Sequence, residues 1–495
     1  MSLICYFLIA MASNGLSERG LVREIDRLLQ AQEYADGFWG IAVWAPARNR
    51  FIYTRHPDQN FRTASNLKIL TTLLAMDYLG PQYRFETLFG TQGALRDQTL
   101  MGDLFIRGGG DPAISGNYSA HTWTTEDLLA PVIESLKAKG IHQIAGDLVA
   151  VEDFFDDRMV QKSWEWDDVG FYYAAPVSAL AIDNGWIDIF METDENGHLS
   201  YRMSPQPVED LAIQFDLTHD PGKMQIAVDR RWGTDQVRFH GNMPPCSVYA
   251  ISLSTWAPSM RFLTRFRAML QDAGIQVMGR NRVVQEAVEM EVLAVYQSDT
   301  LGELGKTLMK ASQNHYADLF LKTTASHLTQ SGSFENGAAL AREFLRSLAP
   351  DGDSGFNLRD GSGLSVQNYL KPNQVVNLLR HGLTADYAAQ WLATFPVMNR
   401  EGTLARRGEN IGERGMVWAK TGYIYRARNL SGYVETGAGE PLVFSILVNN
   451  YGSPTAAINR AQDAICALLM QLKPNRMARK NTLWRHRLSR MHSQR

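Results

Sequence analysis

A chain of 495 residues is too long for one simple core, so two or three domains are expected. Its 45% hydrophobic and 20% charged content is ordinary for a globular protein, and a net charge of -3 argues against general nucleic-acid affinity. The three cysteines, Cys5, Cys246 and Cys466, form neither a CxxC pair nor a cluster with histidine, which argues against a disulfide framework or a structural metal.

No internal stretch is apolar enough to span a bilayer. At the start, the apolar run from Leu3 to Met11 overlaps Ala10-Met11-Ala12, a small-x-small pattern. Residues 1–12 are therefore a candidate signal segment, although no Lys or Arg precedes the run; a frayed terminus is the alternative.

From Arg19 to Glu33 the stripe Leu21, Ile25, Leu28 and Leu29 predicts a helix. Gly40 to Trp44 and Phe51 to Thr54 read as strands, with Pro46 and Asn49 forming a hairpin turn. Ser65 opens an amphipathic helix through Ile69, Leu70, Leu73, Leu74 and Met76, stopped near Gly80-Pro81. From about Leu88 the texture becomes short strand-like pieces punctuated by turns such as Gly108-Gly109-Gly110-Asp111-Pro112 and Asp220-Pro221-Gly222. Helical pattern returns at Ser259 to Ala273 and dominates Thr300 to Ser347. Met416 to Lys420, Asn429 to Glu435 and Leu442 to Asn449 are strand-like, and a helix runs from Thr455 to Leu472.

This order suggests a discontinuous domain of residues 13–88 and 293–475, with 89–292 as a β-rich insertion of two subdomains. The tail, 476–495, carries Arg476, Arg479, Lys480, Arg485, Arg487, Arg490 and Arg495 and no acidic residue. A solvated end is the plain reading. The interleaved Met477, Leu483, Trp484, Leu488 and Met491 admit peripheral contact with an anionic membrane surface.

Three short boxes carry chemistry. In Ser65-Asn66-Leu67-Lys68, a serine and a lysine three apart on a helix share one face. The weak serine nucleophile needs a base, and a buried lysine with a lowered pKa can serve. Ser65 at the first turn also offers its own backbone N–H to an oxyanion. Ser312-Gln313-Asn314 supplies a second hydroxyl to relay a proton and an amide to hold substrate. Lys420-Thr421-Gly422, at the end of its predicted strand, pairs an ammonium and a hydroxyl for a carboxylate with a glycine that permits close backbone approach. Each box has a bland reading in isolation: an N-cap with a solvated lysine, an inter-helix turn, an exposed turn. Together, S-x-x-K, S-D-N and K-T-G are the signature of penicillin-binding proteins and related β-lactamases, from which Gln313 departs in the middle box.

Further segments carry the resemblance. Gly102-Asp103-Leu104, Trp164-Glu165-Trp166-Asp167-Asp168, Tyr173-Ala174-Ala175-Pro176, Asp360-Gly361-Ser362-Gly363-Leu364-Ser365 and Leu430-Ser431-Gly432-Tyr433-Val434 resemble the S13 serine peptidases. These are the D-alanyl-D-alanine carboxypeptidases/endopeptidases of the penicillin-binding protein 4 type. The likeness covers roughly Gly40 to Met470.

It implies an α/β (α+β sandwich) penicillin-binding-protein/serine β-lactamase-like transpeptidase fold, an antiparallel sheet flanked by helices with a large β-rich insertion. By the same resemblance Ser65 is the acylated nucleophile, Lys68 its base, Ser312 the proton relay, Asn314 a positioning amide, and Lys420 with Thr421 the carboxylate clamp. The oxyanion would lie between the backbone N–H groups of Ser65 and Tyr423, beside Gly422. Peptidoglycan stem peptides and β-lactams would be the partners, outside the cytoplasm in a bacterial envelope, with no metal or organic cofactor and no nucleic acid.

Two positions depart from the family's usual pattern. Tyr423 stands where threonine is usual, and Val366 stands where an arginine often recognises the acidic end of a diaminopimelate stem. Arg426 or Arg428, read in the loop after Tyr423, is a candidate substitute, with a solvated turn as the plain reading; Asp167 and Asp168 are either contributors to the same pocket or structural turn residues. The rival readings are a β-lactamase or esterase on this fold, separated by fast deacylation, and a catalytically silent peptidoglycan-binding protein.

Overall fold

The computed structural model describes residues 15–474 apart from 117–122, 207–210, 330, 349–354, 410 and 412–415. The candidate signal segment 1–12, with Cys5, and the basic tail 476–495 lie outside the described residues. The chain divides into two compact units: the described residues of Met1–Pro81, Gly305–Ser312 and Ala338–Arg495, and those of Gln82–Leu304 and Gln313–Gly337.

The first unit is built on a five-stranded sheet in the order Arg50–Arg55, Phe38–Ala45, Pro441–Asn449, Ala427–Glu435, Val417–Ile424, antiparallel throughout. Strand alternation decides its two faces. Ile41, Val43, Leu430, Val434, Phe444 and Ile446 pack with Leu21 and Ile25 of the helix Glu18–Leu29 and with Ile458, Ile465 and Leu469 of the helix Thr455–Met470. On the other face, Tyr433 donates its hydroxyl to the carbonyl of Leu379, in the helix Pro372–Thr384. First and last parts of the described chain meet where the Leu16 N–H donates to Gln471 O at 2.6 Å.

Within the second unit, a five-stranded mixed sheet runs in the order Asn281–Val284, Leu148–Val151, Leu104–Arg107, Arg84–Thr91, Glu291–Thr300. The helices Thr125–Ala138 and Pro258–Asp272 supply Leu129, Val132, Leu136, Phe262, Phe266 and Leu270 to its core. Two three-stranded sheets enclose a separate core of Ile187, Ile189, Met191, Val237, Phe239 and Leu253.

Several local expectations need correction. The helix Leu67–Tyr78 is buried on every side from Leu67 to Met76 rather than amphipathic, as a helix inside a core should be. The strand holding Lys420-Thr421-Gly422 runs on to Ile424, because the hairpin turns only at Tyr425-Arg426, where Arg426 takes φ 57°. Arg428 is therefore a strand residue and not part of a loop.

Candidate active site

The short strand Phe61–Arg62 feeds a single 3-10 turn, Ala64–Asn66, followed by the helix Leu67–Tyr78. Ser65 thus sits just before the α-helix rather than inside it. A 3-10 turn eclipses positions i and i+3, so the serine and lysine still share a face. Lys68 Nζ donates to Ser65 Oγ at 2.8 Å and to the Ser362 carbonyl at 2.7 Å. Lys68 is fully buried, whereas Ser65 keeps partial access to solvent.

Side-chain amides fasten this turn to the sheet. Asn429 Nδ2 donates to the carbonyls of Arg62 at 2.9 Å and Thr63 at 2.7 Å, and Asn66 Nδ2 donates to Lys420 O at 2.9 Å. The turn and the edge strand Val417–Ile424 approach so closely that a Cβ on Gly422 would lie 3.0 Å from Thr63 O and 3.1 Å from Asn66 N. Gly422 is the residue that permits this contact, a tighter approach than nearly all side chains tolerate.

Residues 360–368 close the other side. The Asp360 carboxylate accepts from Gly363 N–H, Ser365 N–H and Asn368 Nδ2, each at 2.8 Å, and fixes the loop that presents Ser362 O to Lys68. Thr71 Oγ1 donates to Gly361 O at 2.6 Å from the next helical turn.

Ser312 follows the helix Leu301–Lys310 with φ 63°, a left-handed conformation. Its Oγ accepts from Lys420 Nζ at 2.7 Å, and the same nitrogen donates to Thr421 O at 3.0 Å. Lys420 is wholly buried. That burial, then the positive charges of Lys68 and Arg428, holds its amine well below the ordinary lysine range. Thr421 Oγ1 donates to Thr403 Oγ1 at 2.8 Å, and the Tyr423 ring is 55% exposed.

Six of the eight residues selected from sequence, Ser65, Lys68, Ser312, Lys420, Thr421 and Gly422, fall in this one linked arrangement of the first unit. Tyr423 follows them on the same strand. Asn314 belongs to the second unit, where it begins the helix Asn314–Thr329 and donates through Nδ2 to Tyr173 O at 2.7 Å. Arg428 is spent internally: its Nε donates to Asn459 Oδ1 at 2.6 Å, and burial, then the charge of Arg407, lowers its guanidinium to about 10. Sequence reasoning missed Asn66, Asn429 and the Ser362 carbonyl. Asp360-Gly361-Ser362 was singled out as a segment without a role, and an Asp-Gly-Ser-Gly run is the signal for a turn that presents a carbonyl.

Among the described residues, no group of three or more His, Cys, Asp or Glu is placed to hold a metal ion. No helix there is long and apolar enough to cross a membrane.

The chain is 29% identical over 475 residues to a D-alanyl-D-alanine carboxypeptidase of Actinomadura sp. (strain R39), covering 91% of this chain and 84% of that one. It is 26% identical over 431 residues to the D-alanyl-D-alanine carboxypeptidase DacB of Haemophilus influenzae, covering 82% and 84%. Its fold is similar to the crystal structure of penicillin-binding protein 4 (dacB) from Haemophilus influenzae, with a TM-score of 0.78 at 22% identity over 91% of this chain and 99% of that one. The antiparallel sheet with helices on both faces is thus the penicillin-binding-protein fold. A family model described as the D-Ala-D-Ala carboxypeptidase 3 (S13) family matches residues 21–472. That match runs through all three boxes, and the chain belongs to this family of serine peptidases.

Proposed function

We infer that this chain is a serine D-Ala-D-Ala carboxypeptidase/endopeptidase that cleaves peptidoglycan stem peptides or cross-links and is acylated by β-lactams. The observation that carries the reading is Lys68 Nζ 2.8 Å from Ser65 Oγ, buried where an ammonium is poorly solvated.

In the proposed reaction, Lys68 first yields its ammonium proton to water, and Ser65 Oγ then attacks the carbonyl carbon of the penultimate D-alanine while its proton passes to the Lys68 amine. The tetrahedral oxyanion is held by the backbone N–H groups of Ser65 and Tyr423; losing one such donor costs about 3 kcal/mol of barrier. The C–N bond then breaks, the departing amine takes its proton through Ser312, and the acyl group remains on Ser65 as an ester. Water hydrolyses that ester and frees the serine. Lys420 and Thr421 receive the terminal carboxylate, and Asn314 steadies the substrate amide. A β-lactam follows the first half of this path, but its opened ring stays attached.

The family's substrate chemistry supports an extracytoplasmic site of action in a bacterial envelope. Peripheral membrane contact through the tail 476–495 remains part of the proposal.

Labelled penicillin on one sample and, on a separate untreated sample, purified muropeptides with mass spectrometry test this function. Expected are a covalent adduct on Ser65, absent in Ser65→Ala, and loss of one alanine from pentapeptides or splitting of dimers. Folded protein that takes no label, or Ser65→Ala with unchanged turnover, would overturn the reading.

A further inference from the structure

A second concavity lies wholly within the second unit and uses none of the residues above that surround Ser65. It encloses about 350 Å³ and is lined by Trp166, Asp167, Phe171, Arg230, Trp232 and Trp256, among others. Small-ligand pockets are of this size. Trp166 is 78% exposed and Trp232 60% exposed, an unfavourable use of large aromatic surface unless something covers it. The Trp232 and Trp256 rings meet edge to face with centroids 5.4 Å apart, so the wall has a defined geometry.

The polar groups narrow the ligand class. Trp256 Nε1 is itself buried, so the indole meets the pocket through its ring and not through its N–H. Arg230 is committed to the structure: it pairs with Asp235, donates to Thr234 O at 2.9 Å, and so braces the loop that carries Trp232. Asp167 and Asp229 are the exposed carboxylates, with Asp229 Oδ2 3.0 Å from His240 Nε2. An anion would be repelled by this rim. A wholly apolar ligand would strip water from these carboxylates without replacing it.

A sugar ring meets both demands. Its C–H face stacks on the exposed tryptophans and its hydroxyls donate to the carboxylates. A neighbouring concavity of about 480 Å³ shares Asp229, Arg230 and Val237, which gives room for a second ring.

We propose that the Trp166–Trp232–Trp256 pocket is a carbohydrate subsite that binds sugar rings of a glycan strand. It deepens the peptidoglycan reading and rests on it only for the source of the glycan.

Isothermal titration calorimetry with N,N′,N″-triacetylchitotriose tests the proposal on the full chain. Saturable binding is expected, weakened about tenfold or more in Trp232→Ala and in Trp166→Ala, as loss of a central tryptophan usually does. Both variants should keep penicillin labelling of Ser65, which certifies folding; should one lose it, the other carries the test. Absence of saturable binding to the wild-type chain, or equal affinity in the labelled variants, would overturn the subsite. Choline binding in place of the sugar would also overturn it, since that outcome assigns the aromatic wall to a cation. Absent penicillin labelling with intact sugar binding would instead remove the peptidase reading and leave the subsite standing.

Discussion

Lys420 reaches Ser312 Oγ at 2.7 Å from a position with no solvent exposure, and its amine is depressed by burial and by two nearby cations. Such a group serves chemistry at the expense of stability. Lys420→Met should abolish D-alanine release yet raise resistance to unfolding at neutral pH by about 1–2 kcal/mol, as hydrophobic replacement of buried charge often does. The sign follows from linkage. The unfolded lysine binds a proton more readily than the folded one, so wild-type stability falls as pH drops from the unfolded value of about 10.4. The advantage of methionine should therefore vanish as urea titrations approach that pH. An advantage that is unchanged there would contradict the assignment.

Gly363 takes φ 82°, and a Cβ on it would stand 1.9 Å from Ala64 O, one residue before the nucleophile. Gly363→Ala must therefore displace the 3-10 turn or the loop carrying Ser362 O. A displacement of order 1 Å in reacting groups can cost about 100-fold in rate. The acylation rate by labelled penicillin should fall by at least about tenfold, and a wild-type rate in the variant would show that the contact is not limiting.

Local pattern carried much of this site, and its limits are physical. Helix stripes and strand alternation marked the central sheet to within a few residues, since one buried face dictates the period. The three boxes were readable because their chemistry lies in the side chains themselves. What closed them into a site was not local: Lys68 and Ser362 are 294 residues apart, and only the fold joins them. The helix Thr125–Ala138 was passed over inside a region read as strands, although Thr124 and Asp127 form a capping box ahead of Leu129, Val132 and Leu136. The turn residues around it drowned that signal. The 3-10 start at Ser65 was likewise invisible, because i and i+3 align in both helix types.

Asp111 is fully buried. Burial first, opposed by the Ala113 N–H bond and reinforced by the charge of Asp299, raises its carboxyl to about 7, and its Oδ2 has no partner among the described residues. A carboxyl raised in this way favours folding while protonated, so its contribution is complete below about pH 4 and is lost as pH climbs through 7. Asp111→Asn should match wild type at pH 4, gain between 4 and 7, and hold a plateau of about 2–4 kcal/mol above that. Urea unfolding at pH 4, 6 and 8 measures the trend, and a gain that shrinks with rising pH would refute it.

Tyr433 lies on the sheet face opposite the terminal helices. Its hydroxyl accepts from Trp391 Nε1 at 2.7 Å and donates to Leu379 O at 2.8 Å, with tyrosine and tryptophan both fully buried. Tyr433→Phe conserves the ring but strands the buried Trp391 N–H, worth about 1–3 kcal/mol when left unsatisfied, whereas Leu379 O keeps its place in the helical ladder. The variant should unfold at lower urea concentration by about 1–3 kcal/mol in equivalent stability. Penicillin labelling of Ser65 under native conditions should stay near wild type, because neither group belongs to the Ser65 hydrogen-bond set. Equal stability of the two proteins would mean that water or a neighbouring group satisfies the indole N–H, and a stable but unlabelled variant would tie this buried pair to the reactive serine.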